Sequence, residues 1–72
     1  KYYPPLAKKN RLEGTPKAAF EIGEDGKITS ASLVESCGIK LLDDAALETL
    51  RRLKSLPPYP RPITVALKYF VQ

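Results

Sequence analysis

Leu41 to Leu53, LLDDAALETLRRL, is the stretch from which the rest of the chain is read. At about 100° per residue, Leu42, Ala45, Ala46, Thr49, Leu50 and Leu53 fall on one stripe, with Asp44, Glu48, Arg51 and Arg52 opposite. This is the pattern of a helix with one buried face. Asp43 and Asp44 stand in its first turn and Arg51, Arg52 and Lys54 in its last, so the charges oppose the macrodipole at both ends. Glu48 reaches Arg52 one turn on. No Ser, Thr, Asp or Asn directly precedes Leu41, which leaves the N-cap weak. A helix of this length is marginal alone and needs a surface to cover its stripe; the neighbouring strands supply it.

Upstream, Thr15 to Ile22 alternates Ala18, Phe20 and Ile22 against Lys17, Ala19 and Glu21, a half-buried strand whose beginning is restricted by Pro16. Gly23-Glu24-Asp25-Gly26-Lys27 carries the Asp-Gly pair of a tight reversal. A second strand, Lys27 to Glu35, buries Ile28, Ala31 and Leu33, and the change from odd to even spacing predicts a bulge near Thr29 or Ser30. Before the first strand, Tyr3-Pro4-Pro5 opens a short helix over Leu6 to Leu12 with Leu6, Ala7 and Asn10 on one side. Gly14 stands where a left-handed cap would end it.

Downstream, Pro57-Pro58-Tyr59-Pro60-Arg61-Pro62 reads as a stiff polyproline connector. The last strand, Ile63 to Val71, then puts Ile63, Val65, Leu67, Tyr69 and Val71 on one face and Thr64, Ala66, Lys68 and Phe70 on the other. The expected fold is a two-layer α+β domain over residues 1–72. Its three-stranded antiparallel or mixed sheet has the order second, first, last, and two helices cover one face. In that order the last strand is an edge with one row of N–H and C=O groups unpaired. It is long, holds one Lys and contains no internal Pro or Gly. Such an edge is suited to catching an extended peptide.

The 72 residues allow one domain with a thin core. With 43% hydrophobic and 28% charged residues the composition is that of a globular domain, and no stretch approaches a membrane span. A start at Lys1-Tyr2-Tyr3-Pro4 with no Met in the chain suggests an excised fragment. The net charge of +4 is modest and gathers at Lys8, Lys9, Arg11 and at Arg51, Arg52, Lys54, as solvated helix faces do. One cysteine, Cys37, and no histidine exclude an internal disulfide and remove the parts of most metal sites and of general-base catalysis. No catalytic residue, metal ligand or cofactor is expected; Cys37 reads as a small packing residue in a turn.

Taken together, YPPLAKKNRLEG, the DGKI turn, the ESCG corner, LLDDAALETL and PPYPRP before a final apolar strand resemble, in that order, the TonB C-terminal domain from Tyr3 to Val71. The resemblance implies a non-enzymatic periplasmic domain of a Gram-negative energy transducer. An N-terminal helix would anchor it in the inner membrane and a Pro-rich spacer would join the two. It would engage the TonB box and plug of outer-membrane transporters, adding the box as a strand beside its own last strand. The pulling force would come from proton-driven motor proteins, for uptake of siderophores, haem or cobalamin. Carried over residue by residue, the partner-binding positions are Ile63, Thr64, Val65, Ala66, Leu67, Lys68, Tyr69, Phe70 and Val71, together with Tyr3 and Pro4, the turn that begins the domain. Cys37 departs from the Ser common at this corner; a free thiol in an oxidising periplasm would permit an intermolecular disulfide. A strand-exchanged homodimer is a further expectation. Two rival readings are a TonB-like domain of another envelope machine and a small basic nucleic-acid binder. The second is disfavoured because Phe20 and Tyr69 are expected in the core rather than on a stacking platform.

Overall fold

The computed structural model describes residues 2–71, so the outermost residues of the expected 1–72 domain lie outside the description. Helix α1 spans Pro5–Lys9, strand β1 Lys17–Ile22, strand β2 Ile28–Glu35, helix α2 Lys40–Arg51 and strand β3 Tyr59–Ala66. The sheet order is β2-β1-β3, and β1 is antiparallel to both neighbours. This is the expected α+β architecture. Both helices pack on one sheet face: Ala7 of α1 and Leu42, Ala45 and Ala46 of α2 meet Leu67 and Tyr69 in one cluster. Ala18, Phe20 and Leu50 form a second cluster beside it. Burial of each large member contributes about 1.5–3 kcal/mol before entropy is subtracted.

Helix α2 buries Leu42, Ala45, Ala46 and Leu50 as its stripe requires, whereas Leu53 lies past the helix end and is 39% exposed. Glu48 accepts from the Arg52 Nε–H at 3.0 Å. The N-cap, Ile39, makes no side-chain capping bond. Asp43 stands in the first turn as read, and it is also buried and turned back to the ESCG corner. There its carboxylate accepts the Ser36 hydroxyl and, at 3.0 Å, the Cys37 N–H.

The hairpin turn is as read. Gly26 takes φ 82° and Gly23 N–H donates to the Lys27 carbonyl at 2.8 Å. The bulge is also where the spacing put it: the register slips between Glu21↔Ser30 and Ile22↔Ile28, leaving Thr29 as the extra residue.

Helix α1 is shorter than Leu6 to Leu12 and turns its Ala7 side inward, leaving Leu6 59% exposed. A single turn presents too narrow a face to bury both residues. Its left-handed residue is Arg11, φ 52°, not Gly14. Gly14 instead lets two segments approach closely, since a Cβ there would stand 2.9 Å from the Cys37 Sγ.

The last strand shows the largest departure from the sequence reading. Tyr59, Pro60, Arg61 and Pro62 belong to β3 rather than to a connector, and the named strand stops at Ala66 instead of Val71. Proline is compatible with an edge strand and with a bulge, and both conditions hold: β3 is an edge, and its register slips between Phe20↔Ile63 and Ile22↔Tyr59. Beyond Ala66 the chain stays extended and pairs with the segment before β1. Leu67 N–H donates to the Pro16 carbonyl at 3.0 Å, and Tyr69 bridges Gly14.

Candidate peptide-binding edge

One register carries through from Gly14↔Tyr69 to Phe20↔Ile63, so residues 63–69 form a continuous extended run against residues 14–20. Gly14 and Tyr69 exchange both backbone hydrogen bonds, at 3.0 and 2.9 Å. In an antiparallel ladder this fixes the alternation: Ile63, Val65, Leu67 and Tyr69 aim their N–H and C=O groups at the partner segment, and the intervening residues aim theirs away. Thr64, Ala66 and Lys68 therefore present N–H and C=O along the outer edge, where no described strand covers them.

The nine strand positions of the predicted site thus divide in two. Ile63 and Val65 are half-buried and Leu67 and Tyr69 buried on the helix side, and their backbone groups are spent within the domain. The side chains of Thr64, Ala66, Lys68 and Phe70 are exposed on the opposite face. Val71 N–H donates to Glu13 Oε2 at 2.8 Å, which ties down the end of the run. Nothing in the local pattern around Glu13 signalled this contact, which spans most of the chain.

Tyr3 and Pro4 brace this end of the sheet. The Tyr3 ring meets the Tyr69 ring edge-on, with centroids 5.2 Å apart, and its hydroxyl donates to the Leu12 carbonyl. Pro4 is buried at the start of α1, where its carbonyl accepts the Lys8 N–H at 3.1 Å. Thr49 completes the brace, accepting the Tyr2 N–H at 2.8 Å and lying 3.3 Å from the Tyr69 hydroxyl. Burial raises the Tyr69 phenol above its ordinary pKa, and the Thr49 hydroxyl opposes that shift.

The two edges of the sheet differ. Two register slips against β1 disturb β2, and bulges of this kind twist an edge away from partners. Between Ile63 and Tyr69 no slip interrupts the other edge. An open groove of about 500 Å³, lined by Tyr2, Tyr3, Lys8, Thr49, Arg52 and Leu53, is a weaker candidate. Its cations are already engaged: Lys8 lies over the Tyr3 ring, and Arg52 lies 4.3 Å from the Tyr2 ring centroid while pairing with Glu48.

Cys37 is half-buried, and its thiol approaches the Ile39 carbonyl at 3.6 Å. Burial pushes its pKa up, and neighbouring Asp43 adds to that. No described helix is long and apolar enough to cross a membrane.

The family described as Gram-negative bacterial TonB protein C-terminal matches residues 1–71. Among curated relatives, Protein TonB of Haemophilus influenzae is 30% identical over all of this chain and 28% of its own length. Protein TonB of Haemophilus ducreyi is 32% identical over 97% of the chain and 26% of its own length. Protein TonB of Helicobacter pylori is 36% identical over 92% of the chain and 23% of its own length. The chain thus spans about a quarter of the relatives it matches. No solved structure matches it significantly. An extended edge braced from behind, on a sheet ordered β2-β1-β3, is the form in which this chain belongs to the Gram-negative TonB C-terminal family.

Proposed function

We propose that this chain is the periplasmic, partner-capturing domain of an inner-membrane-anchored energy transducer. It takes the TonB box of an outer-membrane transporter as an added strand along the outer edge of residues 64–68. The observation that carries this reading is the row of Thr64, Ala66 and Lys68, whose backbone donors and acceptors face outward on an uninterrupted edge. Main-chain hydrogen bonds supply affinity in such pairing, and alternate side chains supply selectivity. Tyr3 and Pro4 contribute from behind, by holding Tyr69 and the end of the run in place.

The domain performs no bond chemistry in this reading; it transmits force. A captured strand pulled along its length loads several ladder hydrogen bonds together, each worth about 0.5–1.5 kcal/mol net. Motor proteins of the inner membrane act through parts of the protein outside this chain, and the cargo is an iron-siderophore complex, haem or cobalamin.

Ala66→Pro tests the reading. The Ala66 N–H faces outward, so its loss leaves the β1 ladder intact while removing the central donor of the row. Titration calorimetry with a synthetic TonB-box peptide from a transporter of the same bacterium should show affinity reduced by about tenfold or more, with unchanged circular dichroism. Undiminished binding by the folded variant contradicts strand addition at this edge.

A further inference from the structure

The outer row of β3 does not run the length of the strand. Ile63 faces Phe20 in the same register as Tyr69 faces Gly14, so Pro62, one residue earlier, falls on the outward row with Thr64 and Ala66. Proline keeps a carbonyl there but has no N–H to give. Behind it, Pro60, Arg61 and Pro62 together oppose the single residue Glu21, a bulge that interrupts pairing. Both prolines are exposed, so burial in the core does not explain them.

We propose that Pro62 is the register stop of the capture edge. This rests on the strand-addition reading above and makes it specific. The captured segment pairs with Thr64, Ala66 and Lys68, cannot slide toward Tyr59, and is confined to a stretch of about five residues, or roughly 17 Å. The partner is an extended peptide with non-proline residues at the three alternate positions that face this row, because proline there leaves an outward carbonyl unmet. A slip of one residue would exchange the two faces of the added strand, so a fixed stop also fixes which side chains of the peptide face the exposed Phe70 and Lys68 side of the sheet.

The test is amide hydrogen exchange by NMR on the whole chain, free and saturated with a synthetic TonB-box peptide. Wild type, Pro62→Thr and Pro60→Thr are compared. In wild type the amides of Thr64, Ala66 and Lys68 should slow by roughly tenfold or more on binding. In Pro62→Thr the new amide at position 62 should join the protected set, because the row now has a donor there. Pro60→Thr, which lies behind the stop, should leave that set unchanged. A position-62 amide that exchanges equally fast in the free and bound variant overturns the stop while leaving strand addition standing. Protection absent from the whole of residues 62–70 overturns both.

Discussion

Gly14 and Tyr69 exchange two backbone hydrogen bonds, at 3.0 and 2.9 Å, and this pair holds the end of the extended run against the segment that leads into β1. On its other side Gly14 lies against the ESCG corner, an approach that needs the missing side chain: a Cβ would lie 2.9 Å from the Cys37 Sγ and 3.0 Å from its Cβ.

Gly14→Ala should therefore destabilise by about 1–3 kcal/mol, as overpacking does. In a domain of this size each kcal/mol lowers Tm by about 4–8 °C. Thermal unfolding followed by circular dichroism measures it, and Cys37→Ala in the same chain should recover part of the loss by removing the nearer of the two contacts.

Asp43 makes stability depend on pH. Burial pushes its carboxyl pKa up, but the Ser36 hydroxyl and the Cys37 N–H outweigh that and bring it below its ordinary value. A lowered folded pKa stabilises the fold above the unfolded value of about 3.9, and the contribution is lost as pH falls through the folded value. Urea midpoints taken from pH 6 down to pH 2.5 should fall more steeply for wild type than for Asp43→Asn. At pH 6 the variant should be less stable by about 1.5–3 kcal/mol, the worth of a hydrogen bond to a charged acceptor. Parallel curves would show that the corner does not depend on the ionised carboxylate.

Cys37 should be a sluggish thiol. Its pKa is raised, first by burial, and the thiolate is the reactive form. Alkylation by iodoacetamide at pH 7.5 should be slower in the folded chain than in the same chain in urea. Disulfide-linked dimers should accumulate correspondingly slowly in air. Equal rates folded and unfolded would contradict this.

The fold was legible where the signal was local or periodic. The stripe of α2 and the Asp25-Gly26 reversal appear where the sequence placed them, and so does the inward set Ile63, Val65, Leu67 and Tyr69. What escaped depended on partners distant in sequence or on position within the sheet. Pro60 and Pro62 argue against a strand when taken residue by residue, yet an edge strand leaves one row of N–H groups unused, and there proline removes nothing the fold needs. Asp43 is legible as a first-turn charge, but its burial follows from the closeness of Ser36 and Cys37 in space. The last strand stands at the sheet edge, as the sequence order implied, but its limits differ from those read in the sequence. The bulge before Ile63 and the tie from Glu13 to Val71 both depend on pairing between distant segments, which no single stretch of sequence encodes.

Amide-resolved NMR titration of this chain with a TonB-box peptide is the most direct test of capture along the outer edge. Strand addition predicts the largest shifts at Thr64, Ala66 and Lys68, with Lys8, Lys9, Arg11 and Arg52 little changed. Shifts confined to those basic residues, or none on the run from Ile63 to Tyr69, would contradict it and place the partner elsewhere on the domain.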